Sequence, residues 1–277
     1  MFKLSFARHA RPAVAGLILT WLLASVLAGA QQPRREHGDI FRLQLDDPAE
    51  ALELVWIEAM GLWVGRHEVT NGQYRRYNLT HMPAPYYENN VHGRRQPAVR
   101  VSWIDADNYA AWLNRNFADQ IPAGFAFRLP SEREWTDFAI CGRAKRYPWG
   151  DRWPPPDDWN YRGEEGLGLL YRLFEKGGNI RGHDDGFIVA APVEESGRNA
   201  WGLYGVGGNV WEWCRDWFDD EQRYRSLRGA GWNNYEEPFL RVNHRGRARP
   251  EQKNAMVGFR LVLAPSGQPA AAAGNVD

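Results

Sequence analysis

The stretch Gly202–Trp217, GLYGVGGNVWEWCRDW, constrains this chain more than any other. Four glycines fall within its first seven residues, and Gly205, Gly207 and Gly208 mark a tightly wound turn that needs positive φ or close backbone approach. Trp211, Trp213 and Trp217 follow, and rings of that size belong in a core. Glu212 stands between two of them. A carboxylate among buried rings needs a hydrogen-bond donor, a cation or a metal, and its alternative is a solvated place on the turn.

The whole chain holds 14 Trp in 277 residues, which suits a fold whose core is closed by loops and rings as much as by regular elements. Its hydrophobic content of 44% supports a single large domain, and no linker divides it. With 34 basic and 34 acidic residues the net charge is zero, so the basic excess of a nucleic-acid binder is missing. Lys3, Arg8 and Arg11 precede an apolar run from Ala13 to Leu27, and Ala28-Gly29-Ala30 gives a small-x-small cleavage pattern. Residues 1–30 are therefore expected to be a signal peptide, with an uncleaved N-terminal membrane anchor as the alternative. The expected location is periplasmic or secreted, with no membrane association after cleavage. Residues 31–45 are read as a flexible segment, 46–264 as the domain, and 265–277 as a disordered Ala/Gly/Pro-rich tail. Export makes a Cys141–Cys214 disulfide possible, and a pair of buried free thiols is the other possibility.

Ala51–Ile57 and Gly61–Val69 read as strands, and Thr70 as the cap of a short helix through Asn78. Ser102 and Asp105 form a capping box ahead of Trp103, Ala106, Ala110, Leu113 and Phe117, an amphipathic helical spacing. Ser131 and Glu134 repeat the device before Trp135, Phe138 and Ala139, and Gly142 is the expected stop. Beyond Tyr147 helical patterns vanish, and strands are expected at Gly186–Val193, Tyr224–Trp232 and Gly258–Leu263.

Gly205-Val206-Gly207-Gly208 lacks the spacing and the strand–helix alternation of a nucleotide loop. The chain has no G-x-S-x-G elbow and no H-E-x-x-H, and its 7 His do not pair at helical spacing. Asp184-Asp185-Gly186-Phe187 together with Asn160 offers the oxygen-rich chemistry that calcium prefers, although Asp-Gly turns are common on surfaces. The arginines between Arg241 and Arg260 suit a mixture of surface charge and residues locked to carboxylates.

Several motifs in order resemble the formylglycine-generating enzyme, or sulfatase-modifying factor, family. They are Glu68-Val69-Thr70-Asn71 with Gln73-Tyr74, Val101-Ser102-Trp103, Phe127-Arg128-Leu129-Pro130-Ser131 with Glu134-Trp135, Pro148-Trp149-Gly150-Asp151, Gly208 to Trp213, and Gly258-Phe259-Arg260. The resemblance runs from Leu52 to Leu263. It implies an α+β fold, the family's variant of the C-type lectin fold, rich in loops with few short helices on small twisted sheets. It also implies two structural calcium sites. One would use Asn160, Tyr161, Asp185 and Phe187, with Asn179-Ile180 as an alternative start. The other would use the carbonyls of Gly208 and Val210 and the side chain of Glu212, while the family's Asn at the head of that site is Gly205 here.

The enzymes of this family hold copper between two cysteines after a Gly-rich turn that matches Arg228-Gly229-Ala230-Gly231-Trp232. The two positions fall on Asn234 and Phe239. Neither an amide nor a phenyl ring supplies the soft thiolate that Cu(I) requires, so copper is not expected. Three functions are compatible with this pattern, and the first is the expected one. It is a maturation or oxidation factor acting on an exported substrate, with Asn233, Asn234, Tyr235, Glu236, Glu237, Arg241 and His244 lining a groove and Asn234, Glu237 and His244 as catalytic candidates. A second is a non-catalytic lectin-like module binding a peptide or an envelope glycan. A third is a diversified ligand-binding surface, suggested by Asn233, Asn234, Asn243 and Asn254. A convergent pocket holding His244 and a carboxylate favours the first reading.

Overall fold

A computed structural model describes residues 35–165 and 178–267; the expected leader and most of the expected tail lie outside these residues. Two small sheets organise the chain. In the first, five antiparallel strands run in the order β1 (Ile40–Gln44), β2 (Ala51–Ile57), β3 (Leu62–Gly65), β9 (Val262–Pro265) and β4 (Phe125–Arg128). The second has the order β7 (Gly246–Ala248), β6 (Arg225–Arg228), β5 (Trp211–Trp217) and β8 (Val257–Gly258), with β5 and β8 parallel. This is the loop-rich α+β arrangement expected from the motifs.

The three α-helices among the described residues begin where the caps predict. Thr70, Ser102 and Ser131 each accept a hydrogen bond from the N–H of the third helical residue, whose side chain accepts one in turn from the cap N–H. The helices are α1 (Asn71–Tyr77), α2 (Trp103–Asn116) and α3 (Glu132–Ile140). Helix α3 stops one residue earlier than Gly142 suggests, because Cys141 itself takes the left-handed conformation at φ 51°.

Two expectations change. Residues 31–45 contain a paired strand, since Leu43 and Leu45 bury their side chains in the core and β1 adds to the edge of β2. Gly186–Val193 forms no strand. There Gln96 and Asn160 side-chain amides and the Asn209 side chain satisfy the backbone of Val189, Ala190 and Ala191, in place of a ladder.

Strand β5 separates two cores by its period of two. Trp213 packs with Tyr109, Leu113, Leu227 and Phe259, and its indole donates to the Val101 carbonyl at 2.9 Å. Glu212, Cys214 and Asp216 turn the other way, toward α3: Glu212 meets Trp135, Cys214 joins the Val64–Trp135–Phe138 cluster, and Asp216 accepts from the Glu132 amide. Glu212, Trp213 and Cys214 are buried on both faces of the strand, so the polar Glu212 on the α3 side must find its partners within the protein.

Candidate functional site

The glycine turn before β5 is shaped by what lies against it. Gly205, Gly207 and Gly208 have φ of 60°, 92° and 80°. A Cβ on Gly208 would lie 2.7 Å from the Asn160 carbonyl, and one on Gly205 would lie 2.4 Å from the Glu68 carboxylate. The turn therefore brings the Asn160 segment and Glu68 directly against the backbone that leads into Glu212.

Around the first expected calcium position, Tyr161 N and Phe187 N donate to the two oxygens of Asp185 at 2.9 and 2.8 Å. Asn160 is fully buried; its amide nitrogen donates to Val189 O, while its Oδ1 has no hydrogen-bond partner. Burial raises the Asp185 pKa above the ordinary carboxylate range, against the lowering effect of the His183 imidazole. The structure thus assembles Asn160, Tyr161, Asp185 and Phe187 in one place. The orphaned Asn160 amide oxygen is a candidate donor to a hard cation, and the groups that bond the Asp185 oxygens are neutral backbone N–H groups, which do not repel one.

The second expected position is built differently. Glu212 Oε1 accepts from Arg260 Nη2 at 2.7 Å and Nε at 3.1 Å, and its Oε2 accepts from Trp135 Nε1 at 2.8 Å. Arg260 also donates to the carbonyls of Gly65 and Tyr204. Glu212, Arg260 and Glu68 are all fully buried. Glu68 accepts from Asn209 Nδ2 at 3.0 Å and lies 3.9 Å from Arg260. One guanidinium faces two carboxylates, and burial with repulsion from Glu212 pushes the Glu68 pKa up to about 8. The partner that Glu212 needed is thus a cation together with an indole donor. The sequence offers Glu68 only as a motif residue, and Arg260 as one of the arginines on the surface or locked to carboxylates, with no partner named. The available signal was an arginine embedded in the apolar run Val257–Leu263.

The late segment brings Asn234, Phe239 and His244 near Trp211 but does not arrange them for chemistry. Asn234 Oδ1 accepts from Trp211 Nε1 and from Gly231 N, both at 3.0 Å, which fixes the turn after Trp232. The Phe239 ring meets His244 edge-on at 4.8 Å, and His244 leans on Trp211 at 5.8 Å. Burial and the Arg228 charge lower the His244 pKa. Glu237 is engaged by Arg241 at 2.7 and 2.9 Å and by the Tyr147 hydroxyl, and these bonds lower its pKa. Tyr235 lies beneath the Arg162 guanidinium. Cys141 and Cys214 are free thiols; Cys214 is fully buried, and burial pushes its pKa up.

Trp211 also lines a cavity of ≈ 360 Å³. Trp211, Trp213, Leu227, Met256 and Val257 give it apolar walls, while Asn233, Gln252 and Asn254 supply amides, Arg247 supplies positive charge, and Lys253 is held by Asp105 at 2.7 Å. No Asp or Glu lines it. Asn233 Oδ1 is buried without a hydrogen-bond partner.

The profile of the sulfatase-modifying factor enzyme 1-like domain matches residues 26–265. The chain belongs to this family. It is 36% identical over 165 residues to the formylglycine-generating enzyme of Thermomonospora curvata, covering 58% of this chain and 42% of that protein. It is 34% identical over 183 residues to the inactive C-alpha-formylglycine-generating enzyme 2 of Mus musculus, covering 62% and 50%. The chain therefore spans half or less of the length of these relatives. Among solved structures, PvdO of Pseudomonas aeruginosa aligns with a TM-score of 0.60 at 21% identity, covering 83% of this chain and all of that one. Treponema denticola variable protein 1 aligns with a TM-score of 0.55 at 20% identity over 83% and 94%. At these identities the two structures establish the shared fold.

Proposed function

We propose that this chain is an exported, copper-free binding member of the sulfatase-modifying factor family, which holds an acidic peptide segment in the cavity beside Trp211. The observation that carries the reading is the use made of the two positions where the family's enzymes have cysteines. Asn234 spends its side-chain oxygen on Trp211 and Gly231, and Phe239 packs on His244. A maturation or oxidation role would need a nucleophile or an acid–base pair there. The His244 ring packs on Phe239 and Trp211 with its pKa held down by burial and Arg228, and Glu237 is tied to Arg241 and Tyr147.

The cavity supports the choice of ligand. Arg247 supplies a positive charge, the walls are aromatic and aliphatic, and the Gln252 and Asn254 amides line the same space. That combination suits a carboxylate next to an apolar side chain on an extended peptide better than a uniformly hydroxylated glycan. The leader-like residues 1–30 support export, and the buried oxygens around Asp185 support a structural calcium that would pin the Asn160 and Asp185 loops together.

Titration calorimetry of residues 31–277 against acidic peptides with an aromatic or aliphatic anchor tests this. Binding is expected with the peptides and absent with neutral and uronic-acid oligosaccharides. Arg247→Gln is expected to weaken it about 10- to 100-fold, the worth of one charge-assisted hydrogen bond. Binding confined to the oligosaccharides, or peptide binding indifferent to Arg247→Gln, would overturn the assignment.

A further inference from the structure

We infer that Arg260 occupies the role of the second calcium ion that the fold family implies, so that the glycine–tryptophan turn is closed here by a guanidinium. The residues present do not fit a metal at this position. Calcium takes six to eight oxygens, and a carboxylate ligand must turn an oxygen toward it. Both oxygens of Glu212 are already engaged, Oε1 by two nitrogens of Arg260 and Oε2 by the Trp135 indole. An ion bonded to Oε1 would sit beside a guanidinium nitrogen that lies 2.7 Å from the same oxygen. Two cations would then share one carboxylate in a region where Glu212 and Arg260 are fully buried and solvent cannot screen them.

The neighbouring residues agree with a guanidinium in that place. Gly205 contributes no side-chain oxygen, and its Cβ position is closed by the Glu68 carboxylate at 2.4 Å. Arg260 also bonds the carbonyls of Gly65 and Tyr204, so it joins β3, the loop before the turn and β5. A guanidinium has five donors in a fixed plane and suits this several-sided bonding. An ion would link the same segments through oxygens. The arginine does so from within the chain, and its contribution does not depend on the calcium concentration outside the cell.

Equilibrium dialysis of chelator-stripped protein against calcium, with metal counted per chain, tests the inference. One calcium per chain is expected in the parent protein and none in Asp185→Asn. In Gly205→Asn, which restores the family's residue, the count is expected to stay at one while the unfolding midpoint falls, because the new Cβ displaces Glu68. Two calcium ions per chain in the parent protein, a calcium ion retained in Asp185→Asn, or a second ion gained by Gly205→Asn would each overturn it. A count of zero in the parent protein would leave the Arg260 assignment standing and remove the first-site reading instead.

Discussion

Arg260→Met is expected to cost the fold about 3–5 kcal/mol, the range for removing one member of a buried ion pair while its partner stays. Met roughly matches the volume of the stem but leaves Glu212 with only Trp135 as a donor and leaves Glu68 beside a second buried carboxylate. The carbonyls of Gly65 and Tyr204 lose their donor at the same time. The loss should appear as a lower denaturant midpoint with unchanged slope, measured by tryptophan fluorescence. Arg260→Lys should recover only part of it, because an ammonium cannot reach three separate acceptors in one plane. A change below about 1 kcal/mol in Arg260→Met, the usual range for a surface pair, would show that the pair is not the closure described above.

The second large effect is a pH dependence centred on Glu68. Its folded pKa is raised from the model-peptide value of 4.5 to about 8 by burial and by Glu212. Below 4.5 the group is protonated in both states, and the stability linked to the raised pKa is fully present. Between 4.5 and 8 the unfolded chain loses the proton while the folded chain keeps it, so stability falls at about 1.4 kcal/mol per pH unit. Above 8 both states are ionised and the contribution is gone. His67 and His81 act in the opposite direction: burial holds their pKa values down to about 3 and about 4, so they favour the fold as pH rises toward 6.5. Against the lowering effect of burial, Asp185 raises the His183 pKa, so the stability that His183 contributes is also lost above pH 6.5, and the Glu68 share is the part of the slope that a Glu68 variant removes. Glu68→Gln keeps the acceptor for Asn209 Nδ2 and should reduce the slope between pH 6.5 and 8, making the variant the more stable protein at pH 8. Parallel profiles for parent and variant would mean that Glu68 is ionised in the folded chain.

The parts of the fold that were readable from sequence are those set by local chemistry. Ser102 and Ser131 announce their helices because a capping box is completed within four residues. Glu212 announced its need for a partner because a carboxylate between tryptophans is costly alone. The identity of that partner was not local: Arg260 lies 48 positions away and reaches Glu212 only because β5 pairs in parallel with β8. Strand β1, missed from sequence, carries a local signal, since Phe41-Arg42-Leu43-Gln44 alternates apolar and polar residues, but the run is short and its pairing with β2 is what makes it a strand. Gly186–Val193 was misread in the other direction, because side-chain amides from Gln96, Asn160 and Asn209 satisfy its backbone. In the late segment the absent cysteines were plain to read. The attachment of Asn234 to Trp211 was not, and neither was the cavity that this ring lines.

The account rests most heavily on the loss of the family's copper chemistry at positions 234 and 239, and titration of the reduced, purified protein with Cu(I) in competition with a chelator tests that directly. The amide at Asn234 and the ring at Phe239 predict that the chelator keeps the metal throughout. One equivalent of Cu(I) held against the chelator, and still held when Cys141 and Cys214 are both replaced by serine, would contradict it.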